Sequence, residues 1–389
     1  HLRFRRQRQM CIRDRYIIDG TEFSDGATTS LGDAIDEYLG VSIADYGSAV
    51  GQPIIRGMSG PRVKILKNGV VNRDVSGLGV DHLNDVDLND ISQVEIVKGP
   101  SSLLYANGTI GGIINVVDDL ISSKDFEIPK VSAGYESQSV NDGNSEFVNL
   151  KSNFGGFNFN FGYKNTDFGN YDVPSGAVIH SEEEHHDDDH DEDEHHDEDE
   201  HSEEDLGYIN NSDFAVEATK FGISKVTDWG YIGFGIDNLE SVYGIPFHGD
   251  EHEDEHGDEH GDEEEHEEHG EERIFSTTDS ETFSIRGSYN VDGNLVNKID
   301  FTYRDSDYSL TEAHAEEEHE EEEHEEEEEH EEHAPTVFMN EAVEYGATFD
   351  ISNDSSTQKV VVNFVDEDNS IVGEEAVSYT HLTLPTKPK

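Results

Sequence analysis

The sequence predicts a small mixed α/β domain followed by an antiparallel transmembrane β-barrel. Three observations predict it. Residues 28–120 mix short apolar segments with glycine turns, and residues 128–376 alternate apolar and polar side chains with period 2. Within that second part, long and short connections take turns.

In the first domain, Leu31, Ala34, Ile35 and Leu39 fall near helical spacing and predict a short amphipathic helix. Pro53 to Arg56, Val63 to Leu66, Val94 to Lys98 and Gly111 to Val117 read as strands, and Asn68-Gly69 is a hairpin turn signal. About 90 residues suffice for a modest core. In the second part, Phe157, Phe159, Phe161 and Tyr163 interleave with Asn158, Asn160, Gly162 and Lys164. Ile232, Phe234 and Ile236 alternate with Gly233, Gly235 and Asp237, and Val343, Tyr345, Ala347 and Phe349 with Glu344, Gly346 and Thr348. Such strands have one apolar and one polar face. A soluble sandwich would bury the apolar faces, whereas a membrane barrel would turn them to lipid. Periodicity alone does not choose between the two.

Connection length does point to one of them. About nine strands can be counted, with tight turns at Gly155-Gly156, Lys225 to Trp229, Asp292 to Asn294 and Asn353 to Ser356. Between these turns fall three runs of histidine and acid, at 180–205, 248–273 and 312–333. Antiparallel strands reverse at each connection, so alternate connections share one rim. Long loops on one rim and short turns on the other are the asymmetry of an outer-membrane barrel.

The 389 residues carry a formal net charge of -65, but the charge is concentrated: the three runs hold 47 of the 90 acids and 18 of the 21 histidines. Nucleic acid is excluded as a partner, because phosphate binding needs a basic surface. Cations are the expected partners. No stretch approaches the ~20 apolar residues of a membrane helix, which leaves a barrel open.

Histidine at this density, with almost no lysine or arginine between the acids, is the compositional mark of metal binding. His248, His252, His256 and His260 recur every four residues, which on a transient helix would bring neighbours to ~5–6 Å. His185, His186, His190, His195, His196, His319 and His324 offer similar sites among carboxylates. Imidazole and carboxylate suit zinc, nickel and copper. Capture should weaken in acid, because histidine protonates near pH 6.5. The bland alternative is a solvated charge run with no cargo role.

The ends differ in texture from the rest. Residues 1–15 carry six arginines and the single cysteine, Cys11, and residues 377–389 break a strand pattern. Both read as non-native sequence, and what remains reads as an internal fragment without signal peptide or disulfide.

The blocks Pro53-Ile54-Ile55-Arg56-Gly57, Arg62 to Leu66 with Asn68-Gly69-Val70, Ile91 to Tyr105, and Gly111-Gly112-Ile113-Ile114-Asn115 resemble, in order and spacing, the plug domain of TonB-dependent outer-membrane receptors. Lys98 stands where that family usually has arginine. The resemblance implies a plug inside a barrel of about 22 strands, of which about nine are present here. It also implies a location in the bacterial outer membrane, contact with its lipid, and energy from the inner-membrane TonB complex. The TonB box that precedes such plugs is missing. Within the family, Gly79 to Val86 and the His/acid loops look like zinc-uptake receptors, in which an Asp-His pair on the plug meets ligands from the barrel wall. The matching pair is Asp81-His82; His82 is the only histidine outside the three runs and the two ends. Zinc favours this donor set. Glu341 and Glu344 are weak candidates for the wall.

The expected activity is import of a divalent transition metal, zinc first, carried as cargo with no prosthetic group and no catalysed chemistry. A receptor for siderophore, haem or cobalamin is the alternative within the family, and a surface or secreted metal-buffering protein is the alternative outside it.

Overall fold

The computed structural model describes residues 15–21, 30–47, 49–77, 79, 82–99, 102, 103, 105, 106, 108–175, 177, 207–246, 273–291, 296–315, 335–353 and 356–373. Two bodies follow each other along the chain. The first is a five-stranded sheet with order β1-β6-β7-β4-β5 and a two-stranded ribbon β2-β3. Its strands are β1 (Arg15–Asp19), β2 (Val41–Tyr46), β3 (Val50–Ile55), β4 (Val63–Lys67), β5 (Val70–Val71), β6 (Ile91–Val97) and β7 (Gly112–Asp118). Arg15, the last residue of the segment read as foreign, opens β1 and pairs with Glu95.

β-Branched residues fill this core: Ile18, Ile35, Ile55, Val94, Ile96, Ile114 and Val116 are all buried. The turn between β4 and β5 forms where Asn68-Gly69 predicts it. Both residues have positive φ (55° and 81°), the conformation that asparagine tolerates and glycine adopts freely. The predicted helix at 31–39 shrinks to one 3-10 turn, Asp33–Ile35. There Ser30 Oγ accepts from the Asp33 amide and donates to its carboxylate, and Tyr38 N already closes back on Ile35 O.

The second body is a nine-stranded antiparallel sheet in sequence order, as expected: β8 (Lys130–Gln138), β9 (Gly143–Phe154), β10 (Phe157–Phe168), β13 (Phe214–Thr227), β14 (Gly230–Gly244), β15 (Arg273–Asn290), β16 (Val296–Ala315), β17 (Thr336–Asn353) and β18 (Ser356–Val372). A small ribbon of β11 (Tyr171–Asp172) and β12 (Tyr208–Ile209) flanks the first His/acid run. The ends that flank the three runs (Phe168/Phe214, Gly244/Arg273 and Ala315/Thr336) all lie at the same edge of this sheet, opposite the tight turns.

Burial decides between sandwich and barrel. Over most of their length the buried face of these strands is polar: Asn158, Asn160, Lys220, Ser224, Asp237, Thr282, Arg304 and Glu344 lie against the first domain, and only near the edge of the His/acid runs does it carry apolar Leu239, Tyr243, Tyr308, Leu310 and Phe338. The apolar face is the exposed one. A row Phe159, Ile223, Phe234, Ile285, Tyr303, Tyr345, Phe364 runs strand to strand in register. From Phe349 to Val343 the apolar band covers seven residues, six steps or ~20 Å at ~3.3 Å per residue, close to the ~25 Å band of an outer-membrane barrel. A soluble sandwich would have buried this face.

Above the band, toward the His/acid runs, the same outward face turns acidic. Glu281, Asp307, Glu341 and Asp368 stand opposite one another on four adjacent strands, as do Glu217, Glu240 and Asp279 on three.

The first domain is seated on the polar wall by its exit segment. A Cβ at Gly222 would lie 1.9 Å from Leu120 O, so only glycine lets the segment approach this closely. Alongside, Ser224 Oγ donates to Ser122 O (2.7 Å), Asn158 Nδ2 to Lys124 O (3.1 Å) and Asn160 Nδ2 to Asp119 O (3.1 Å).

Candidate functional site

The polar interface between plug sheet and wall is held by ion pairs. Lys220 Nζ lies 2.5 Å from Asp87, Arg286 lies 3.7 Å from Asp118, Lys151 lies 2.9 Å from Asp90, and Lys67 pairs with Asp237. Arg73 bridges Glu344 (3.4 Å) and Glu367 (2.9 Å). Burial alone would raise the Asp87 carboxyl, but the Lys220 and Lys164 ammoniums outweigh it and hold the group below its ordinary value.

Above these pairs lies the segment between β5 and β6, which carries His82. Asp74 shapes its first half, accepting from Ser76 N (3.2 Å), Ser76 Oγ (2.5 Å) and Asp85 N (3.1 Å). Gln52, on β3 beneath, donates through Nε2 to Ser76 O, to Gly79 O at 2.9 Å and to His82 O at 3.1 Å. From the barrel side, Tyr243 Oη accepts from Leu83 N (3.3 Å), and the Phe338 ring meets the His82 ring edge-on at 6.0 Å. Leu83, Tyr243, Tyr308, Leu310 and Phe338 close an apolar cluster around this contact.

His82 is therefore buried, only 1% exposed, and its Nδ1 has no hydrogen-bond partner among the described residues. An orphaned buried nitrogen costs about 1–3 kcal/mol, so its persistence calls for a partner. Asp85, three residues on, is also buried, with one carboxyl oxygen unpartnered. Burial pushes its carboxyl up to about 7, against the Ser280 hydroxyl and the Lys67 and Arg304 charges, with Asp74 adding to the rise.

Of the predicted ligands, Asp81 and His185, His186, His190, His195, His196, His248, His252, His256, His260, His319 and His324 lie outside the described residues. Glu344 faces the interior and is engaged by Arg73; Glu341 lies on the opposite, exposed face of β17. Neither is brought to His82. Among the described residues, no three His, Cys, Asp or Glu side chains lie close enough together to hold a metal ion. Sequence reasoning missed Gln52 and Asp85. The first carries no charge or motif, and the second reads in the sequence like its neighbour Asp87, which is equally buried but ion-paired with Lys220.

Residues 12–113 match the family described as TonB-dependent Receptor Plug Domain. A 139-residue stretch is 27% identical to a vitamin B12 transporter of Vibrio vulnificus (strain CMCP6), covering 35% of this chain and 22% of that protein. A 115-residue stretch is 31% identical to a hemin receptor of Yersinia enterocolitica, covering 29% and 16%. The fold is shared with the copper transporter OprC (TM-score 0.64, 11% identity, 92% of this chain and 46% of that one). It is also shared with the FrpB iron transporter from Neisseria meningitidis, F3-3 variant (TM-score 0.60, 11% identity, 97% and 51%). The class is thus a plug domain followed by an antiparallel sheet of outer-membrane barrel type. More narrowly, the first body matches the TonB-dependent receptor plug domain, and the chain as a whole shares the fold of the copper and iron transporters just described. The chain spans about half the length of the solved structures it matches.

Proposed function

We propose that this chain belongs to an outer-membrane receptor that imports a divalent transition metal, zinc first, with energy from the inner-membrane TonB complex. The observation that carries this is His82. It is a buried imidazole with an unpartnered nitrogen, at the end of the plug nearest the rim from which three His/acid runs depart. The runs gather cations at low specificity, and the site built on Asp81 and His82 selects among them. A copper transporter of the same fold supports metal cargo. Because His82 is packed beneath Phe338, ligation requires the ring to move aside, so the described arrangement is a closed form. The names of the relatives and of the solved structures of the same fold, all transporters or receptors, support import rather than catalysis.

A metal chelate is the second reading, since the two curated relatives are named for vitamin B12 and hemin. The 47 acids of the runs oppose an anionic chelate at the rim.

The test is zinc uptake by cells carrying the intact protein, with Asp81→Ala/His82→Ala and, separately, with the three runs deleted. The double variant should lose saturable uptake at all concentrations. The deletion should lose it only at low zinc, and wild-type uptake should fall below about pH 6.5 as the tract histidines protonate. Unchanged uptake in the double variant removes the plug site. Uptake of a haem or cobalamin probe in place of zinc establishes the second reading.

A further inference from the structure

We infer that Gln52 is the positioning residue of the metal-selecting loop, an inference that rests on the function proposed above. The side chain is 3% exposed on β3, in the interior of the plug. Its single amide nitrogen donates to the carbonyls of Ser76, Gly79 and His82, groups 24, 27 and 30 residues further along the chain. An amide has two N–H donors, so three acceptors share two protons. Reversing the amide would set an oxygen against three carbonyl oxygens, so the donor orientation is the only stable one. The carbonyls of Ser76, Gly79 and His82 are therefore tied to one point, and the His82 backbone is held from behind while its Nδ1 has no partner among the described residues. The neighbouring Asn84 reinforces this by donating Nδ2 to Gly51 O at 3.3 Å, next to Gln52.

The arrangement has the logic of an outer-shell partner. A hub that gathers the carbonyls of residues 76, 79 and 82 holds the backbone of the ligand itself, not its ring, and so acts on the site from behind. Outer-shell partners of this kind change metal affinity by about 10–100-fold when removed.

The experiment is zinc titration of the intact protein in detergent, in a background lacking residues 180–205, 248–272 and 316–333, so that only the plug site is read. Gln52→Ala and Gln52→Met are compared with His82→Ala, and thermal unfolding is followed in parallel. Gln52→Met keeps the length of the side chain and removes the donor, so it separates packing from hydrogen bonding. The expected result is a zinc Kd raised about 10–100-fold in both Gln52 variants, with the barrel transition unmoved. If His82→Ala abolishes binding while both Gln52 variants bind like the parent, Gln52 has no positioning role, although the metal site stands. If His82→Ala itself binds zinc normally, the metal reading fails first and takes the inference with it. If Gln52→Ala does not fold, the Gln52→Met affinity alone decides, and a parental value overturns the proposal.

Discussion

Asp85 gives the sharpest quantitative test of the plug–wall interface. Its carboxyl sits near pH 7 in the packed state, against 3.8 in water, because burial disfavours the charge more than Ser280, Lys67 and Arg304 restore it. A raised carboxyl stabilises the packed state fully below pH 3.8, and the contribution is lost as pH rises through 7. The slope in that window is about 1.4 kcal/mol per pH unit, so closing the segment weakens by roughly 2 kcal/mol between pH 5 and pH 7. The assay is hydrogen exchange at the amides of residues 83–86, corrected for the intrinsic pH dependence of exchange, since local opening hydrates the carboxyl. Asp85→Asn keeps the shape and removes this titration, so its opening free energy should show a clearly shallower slope across the window. Asp87 and Asp118 are held low by lysine and arginine partners and titrate below the window, whereas Lys67, which burial lowers to about 7, titrates inside it, so the Asp85 contribution is read as the difference between parent and variant. A flat profile in the parent protein, or an unchanged slope in Asp85→Asn, would refute the assignment.

Two further outcomes follow from charge placement. Lys220→Met leaves Asp87 without its nearest cation, since Lys164 is 3.9 Å away; plug docking should weaken by roughly 3–5 kcal/mol, read as earlier release of the plug in urea. Asp307→Asn removes a charge facing Glu281 and Glu341 on either side, and should raise barrel stability by ~0.2–1 kcal/mol at low salt. A gain that persists in 1 M salt would show that repulsion is not its cause.

Local rules reach a definite distance into this protein. Strand periodicity is a property of adjacent residues, so the barrel strands and their count were legible without any tertiary information. The Asn68-Gly69 turn was legible too, because two positive φ angles select those residues. The fate of Glu341 and Glu344 was equally available and was missed. They are three apart on one strand, and an odd spacing puts them on opposite faces, so they could never have served one site. The helix at 31–39 misled because four apolar residues at helical spacing also suit a short coil packed on a sheet.

The sequence by itself determined the strands, the plug blocks and the common rim of the three His/acid runs, since parity of connections follows from antiparallel order alone. Only the tertiary structure decided which face of each strand is inside. Period 2 supplies two faces and no direction, and the direction came from the plug, whose charged surface demands polar partners such as Lys220 and Asp237. The environment of His82 was likewise beyond local reading. It is buried by Phe338, 256 residues away in the chain, and directed by Gln52, 30 residues before it. Contacts across such separations depend on how the two bodies pack, and no pattern among neighbouring residues encodes them.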